Sequence, residues 1–114
     1  LDGHRNLLDY LSTKDKKINV ILGLPNRTNS ELSQVLRLYN QRNSLVNVIW
    51  AVRFSHAKSI KKKCYESLQE NNEIHKDNFI PTVEKLINRI SKSNEQEYII
   101  CGSNFFLGAI RGQV

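Results

Sequence analysis

The stretch Glu97 to Gly108, Glu-Tyr-Ile-Ile-Cys-Gly-Ser-Asn-Phe-Phe-Leu-Gly, constrains the fold most. A short apolar run of β-forming residues, a Gly-Ser turn and an apolar-periodic segment predict a buried strand feeding directly into a helix. That junction is an α/β signature. Where a parallel strand ends and a helix begins, free N–H groups and the positive end of the helix dipole face the crevice above the sheet, where α/β folds bind anions and nucleotides. Gly102 lets the chain turn and Ser103 is a good N-cap. The plainer reading is a turn plus a cap with no ligand.

The rest of the chain repeats the alternation. Leu1-Asp2-Gly3 reads as the tail of a strand reaching a turn, and His4 to Leu11 as a helix with Leu7, Leu8 and Leu11 on one stripe. Ile18 to Leu24 is apolar at nearly every position, as expected of a strand covered on both faces. After the loop Pro25-Asn26-Arg27, Thr28 or Asn29 caps a helix carrying Leu32, Val35, Leu36 and Tyr39 inward, with Glu31 in its first turn. Val46 to Val52 is the next strand. Ala57 to Glu70 reads as a helix with Ile60, Cys64 and Leu68 on its buried side, and 71–78 as polar and irregular. Phe79-Ile80-Pro81 breaks the pattern, Pro81 opening a helix that buries Val83, Leu86, Ile87 and Ile90. A loop over 91–96, the strand described above and a helix over Phe105 to Val114 complete the order (β)αβαβααβα. Strands alternating with helices predict right-handed crossovers and a mostly parallel sheet covered on both faces, one α/β domain over residues 1–114.

Charge and motifs narrow the chemistry. Lys+Arg 17 against Asp+Glu 11 give a formal charge of +6, which favours acidic partners without demanding nucleic acid. The chain contains no Met, even at its start, which points to a piece of a longer protein. Cys64 and Cys101 stand in no metal-type spacing, so a reduced, intracellular protein is the simplest expectation. No run approaches the ~18 apolar residues of a membrane span. G-x-x-x-x-G-K-[ST], G-x-G-x-x-G, H-E-x-x-H, C-x-x-C and G-x-S-x-G are all missing, which leaves nucleotide hydrolysis by this chain alone, zinc hydrolysis, dithiol exchange and α/β-hydrolase chemistry without support.

Of the three histidines, His75 reads as a surface residue. His4 and His56 follow the ends of expected strands, where ligands of parallel sheets bind. Lys58, Lys61, Lys62 and Lys63 read as a solvated helix face or as an attractor of polyanions, Lys58 being nearest the loop.

Several segments together resemble a known family. Leu1-Asp2-Gly3, the strand Asn19 to Leu24, the segment Trp50 to Lys58 and Ile100-Cys101-Gly102-Ser103 with Leu107-Gly108 are similar, in order and spacing, to the C-terminal domain of folylpolyglutamate synthase and dihydrofolate synthase, the folate branch of the Mur ligase superfamily. The family's last strand and helix commonly read V-C-G-S-L-Y-L-V-G, against I-C-G-S-N-F-F-L-G here. The likeness runs over the whole chain and is most specific at its two ends.

The resemblance implies a Rossmann-like three-layer domain of the Mur ligase C-terminal type, its mostly parallel sheet including one antiparallel strand. It implies ATP- and Mg²⁺-dependent ligation of L-glutamate to dihydropteroate or a folate through an acyl phosphate. In the family the P-loop, metal ligands and pterin site belong to a separate N-terminal ATP-binding domain, so this chain alone is expected to be inactive. The same reading expects no nucleic-acid or membrane partner, a monomer, and a cytoplasmic or mitochondrial location.

Residue by residue, Asp2 matches the Asp of the family's L-D-G-A-H-N segment, whose carboxylate accepts hydrogen bonds from ribose hydroxyls. His4 is the corresponding nucleotide-binding histidine only if the motif is altered, since it follows Gly3 at once where the family has an intervening residue. If residues between Gly3 and His4 are absent from the chain, His4 has no such role. Ser103 matches the serine of the family's G-S turn, and Ser55-His56-Ala57-Lys58 stands where relatives have Pro-Arg, giving Ser103, His56 and Lys58 as substrate-binding residues. Lys58 would lack the bidentate geometry of an Arg. The loop Pro25 to Thr28 departs from the family's Asp-Lys-Asp turn. Two rivals stand beside the ligase reading: a non-catalytic basic α/β module binding a phosphate-bearing partner or nucleic acid, and a ligase-like domain kept as a scaffold.

Overall fold

The structure is a computed structural model that describes residues 2–71, 74–92 and 97–112, the side chain of Asp2 lying outside that description. Four strands, β1 (Ile18–Gly23), β2 (Val46–Val52), β3 (Phe79–Ile80) and β4 (Tyr98–Cys101), form one parallel sheet in the order β3-β2-β1-β4. Five helices flank it: α1 (Asp2–Leu11), α2 (Asn29–Asn40), α3 (Lys62–Glu70), α4 (Val83–Ser91) and α5 (Asn104–Arg111). The fold is α/β and Rossmann-like, with three layers.

The layering follows from strand alternation. Val20 and Leu22 of β1 pack with Leu8 and Leu11 of α1, Leu32, Leu36 and Tyr39 of α2 and Leu68 of α3 on one face. On the other face Ile21, Trp50 and Val52 pack with Val83 and Leu86 of α4 and Phe106 and Ile110 of α5. Every residue of β1 is buried, as a strand with neighbours on both edges and helices on both faces requires. Near its start the register with β2 advances by one residue between the pairs Ile18↔Val46 and Val20↔Ile49. At that irregularity Asn47 Nδ2 donates to Asn19 Oδ1 at 3.0 Å, satisfying a polar group that is otherwise buried in the strand.

Several boundaries differ from the sequence reading. Asp2-Gly3 begins α1 and is no strand tail. Phe79-Ile80 is a strand, since its two residues pair with Ala51 and Val52; two positions are too few to show alternation in sequence. Pro81 precedes α4, whose cap is Thr82, its Oγ1 accepting from the Lys85 N–H at 3.2 Å. Helix α3 starts at Lys62, five residues later than expected, because Ser59 is held in a bridge to Pro25 and the Ile60 N–H donates to the Leu24 carbonyl at 2.8 Å. An extended segment tied across the end of β1 cannot also wind as helix. The antiparallel strand implied by the resemblance is not among the described strands, all of which run parallel. β4 is half-buried where a buried strand was expected, with Ile100 38% exposed, because it forms one edge of the described sheet. No helix among the described residues is long and apolar enough to cross a membrane.

One aromatic ring fixes the carboxyl end of the sheet. Phe106 is fully buried and lies against Gly23 and Gly102, so that a methyl group at either position would be driven into its ring. Both glycines are therefore sites of close approach. Phe106 also packs on Phe54 at 5.2 Å between centroids. Gly23→Ala should destabilise the fold by about 1–3 kcal/mol through overpacking. Gly108→Ala on α5, where an added methyl meets nothing within 4 Å, should be neutral or stabilising by up to about 1 kcal/mol. Urea melts of the two variants check this; equal midpoints would contradict the packing.

Candidate functional site

The sheet order reverses between β1 and β4, since β1 leads outward through β2 to β3 and the chain then returns to the far side of β1. At such a point the loops after the two neighbouring strands part and leave a crevice. Here it is a cavity of about 270 Å³ lined by Leu22 to Pro25 at the end of β1, Cys101 to Ser103 at the end of β4, His4 from α1 and Val35 from α2. Ser103 caps α5 as its sequence position suggested, Oγ accepting from the Phe106 N–H at 3.3 Å.

One wall of the crevice is a hydrogen-bonded chain. His4 Nδ1 lies 2.6 Å from the Tyr39 hydroxyl, with the rings edge to face at 5.3 Å, and the same hydroxyl bonds the Cys101 thiol. Burial holds the Tyr39 hydroxyl far above the ordinary tyrosine range, so it keeps its proton. Burial likewise holds His4 below 6.5. In the Nε2–H tautomer of the neutral imidazole Nδ1 accepts from the Tyr39 hydroxyl, which in turn can accept from the Cys101 thiol. Burial also pushes the Cys101 thiol up, outweighing the Tyr39 hydrogen bond, which acts the other way. Cys101 is thus a protonated wall residue with no thiolate to offer as a nucleophile.

A larger cavity of about 620 Å³ lies beside the loop after β2 and the start of α4, with Arg53, Ser55, His56, Thr82 and Glu84 among its lining. Arg53 spends Nε on the Ile60 carbonyl at 3.3 Å, which leaves its terminal amino groups as donors. The loop is rigidly tied. The Lys58 N–H donates to His56 Nδ1 at 3.0 Å, the Asn26 N–H to the Lys58 carbonyl at 2.8 Å, and the Phe54 N–H to Oγ of the buried Ser59 at 2.9 Å. His56 in turn stacks on Phe105 of α5, centroids 4.1 Å apart.

The structure therefore places Ser103 and His4 on the smaller crevice and His56 on the larger cavity, with Lys58 two residues further along the same loop, and the stacking of His56 on Phe105 ties that loop to α5. Asp2 belongs to α1, and its carboxylate lies outside the described residues. Lys58 sits in the tied loop and not on a helix. Sequence reasoning missed Tyr39, taken as plain core, and Arg53 and Phe105. Trp50 and Tyr98, in contrast, are turned into the protein, 5.3 Å apart. Among the described residues no group of three His, Cys, Asp or Glu side chains could hold a metal ion. No family model, no curated protein and no solved structure matches this chain.

The His4 arrangement carries a pH signature. Its folded pKa lies below the unfolded value of about 6.5, so the unfolded chain binds the proton more readily. The contribution is fully present above about 6.5 and is lost as pH falls from there through the folded pKa. Wild type should lose stability relative to His4→Gln between pH 7.5 and 5, as read by urea melts; parallel curves would exclude a buried neutral His4. At pH 7.5, Tyr39→Phe should cost about 0.5–2 kcal/mol, because it leaves His4 Nδ1 and the Cys101 thiol without their shared partner.

Proposed function

We propose that the chain is the C-terminal domain of an ATP-dependent ligase that adds L-glutamate to dihydropteroate or a folate. The observation that carries this reading is that Ser103 lines the crevice between β1 and β4 at the start of α5, while the His56–Lys58 turn reaches the same helix through the stacking of His56 on Phe105. The resemblance of Ile100 to Gly108 to the folate ligases accounts for that arrangement, and a partner domain supplying the P-loop accounts for the lack of a phosphate-binding motif in this chain.

On this reading ATP and Mg²⁺ are held mainly by the N-terminal domain, where the acceptor carboxylate is phosphorylated. The present domain closes over that site. Its residues orient glutamate: the Ser103 hydroxyl and the His56 Nε2–H donate toward a carboxylate, and Lys58 supplies a positive charge. His4 lines the crevice, as a nucleotide-facing residue would. The side-chain chemistry fits binding and orientation, since the described residues offer neither an activated thiol nor a metal cluster.

The test is glutamate transfer by the full-length parent protein with ATP, Mg²⁺ and either acceptor. Ser103→Asp keeps an N-cap on α5 while placing a carboxylate at the crevice. It should raise the KM for glutamate at least about tenfold with little change in thermal midpoint. A parent reading frame with no upstream G-x-x-x-x-G-K-[ST] would sink the proposal, as would a full-length protein that never joins glutamate to either acceptor.

A further inference from the structure

Five cations crowd the same end of the molecule, and the function proposed above uses only one of them, Lys58. Lys61, Lys62 and Lys63 occupy the N-cap and first turn of α3, and no acidic residue stands in that turn. This placement opposes the helix dipole, which favours carboxylates there, and Lys61 offers no side-chain cap. Lys58 and Arg27 join them through the ties that bind the Pro25 loop to the loop after β2. All five are exposed, and none forms an ion pair among the described residues. An uncompensated cluster of this kind costs folding free energy and is offset when phosphates occupy it.

An independent observation adds a second recognition element. Phe105 is 47% exposed, and its ring stacks on His56, whose Nδ1 is pinned by the Lys58 N–H. The basic cluster thus begins at a fixed, solvent-facing aromatic pair. Cations that track a phosphate backbone, beside rings on which a base can stack, are the two parts of single-stranded nucleic-acid recognition. Trp50 and Tyr98 pack on each other against the core and offer no such platform, whereas Phe105 on α5 is exposed.

We propose that Phe105, His56, Lys58, Arg27 and Lys61 to Lys63 form a binding surface for single-stranded nucleic acid; it shares His56 and Lys58 with the glutamate-orienting residues described above, but its argument does not rest on the ligase reading. A bare polyanion patch would have no need of the pinned aromatic pair, and a lone nucleotide would leave the lysines of α3 unused.

The experiment is fluorescence anisotropy of the 114-residue chain with labelled 12-mers of dT and rU between 50 and 200 mM KCl. With about four phosphates engaged, log affinity should fall with a slope of about −2.8 against log salt, about 50-fold over that range. Phe105→Ala should weaken binding about 5- to 100-fold, and Phe105→Tyr, which keeps the stacking face, should bind like wild type. Lys62→Gln with Lys63→Gln should lower the slope by about 1.4. Unchanged thermal midpoints would show that the variants are folded, since all three positions are exposed. The proposal is overturned by an absence of binding at 50 mM KCl, by heparin or duplex DNA binding as tightly with no effect of Phe105→Ala, or by dTMP competing at the concentration of the 12-mer.

Discussion

The seating of Phe106 on Gly23 and Gly102 is the contact on which the rest of the carboxyl end depends. One ring touches the last residue of the central strand, the turn after the edge strand and, through Phe54, the loop after β2. It does so only because two backbone positions carry no side chain. The arrangement sets how closely α5 approaches the sheet, and hence where Ser103 and Phe105 stand. A bulkier contact would lift α5 and separate Phe105 from His56.

Around that contact the molecule divides its polar groups by environment. His4 and Cys101 are half-buried and the Tyr39 that links them is fully buried, and burial keeps all three in their neutral forms, so this wall offers hydrogen bonds and shape without charge. The opposite rim is exposed and cationic, carried on a loop whose backbone groups are tied to its neighbours. A ligand meeting both would place its planar or neutral part toward the crevice and its anionic part toward Lys58 and the first turn of α3.

The architecture was largely legible in the sequence because strands covered on both faces announce themselves as near-continuous apolar runs. Ile18 to Leu24 and Val46 to Val52 are such runs, and both are strands. Phe79-Ile80 escaped because a two-residue strand has no period, and the start of α3 was misplaced because Ala57 to Lys61 obey helical spacing while a turn at Ala57-Lys58 and a long-range bridge at Ser59 keep them out of the helix. Ser103 was legible as a cap because capping is a local rule. The Tyr39 contact was not, because it joins α2 to α1 and β4 across distant parts of the chain. Gly23 showed no local signal either, as its reason lies in a ring far along the sequence.

The crevice has a further consequence that follows from chain connectivity. Its one lip, after β1, belongs to the β1-α2-β2 unit, whose contacts are short in sequence, while the other lip, after β4, pairs with β1 only after most of the chain has been traversed. Contacts of such separation must bear the closure entropy of the intervening loop before they return any stabilisation. The site therefore exists only in molecules that have completed their longest-range pairing. A ligand held by both lips would tie the two ends of the chain together and raise the free energy needed to detach β4, so occupancy and completion of the fold are thermodynamically linked.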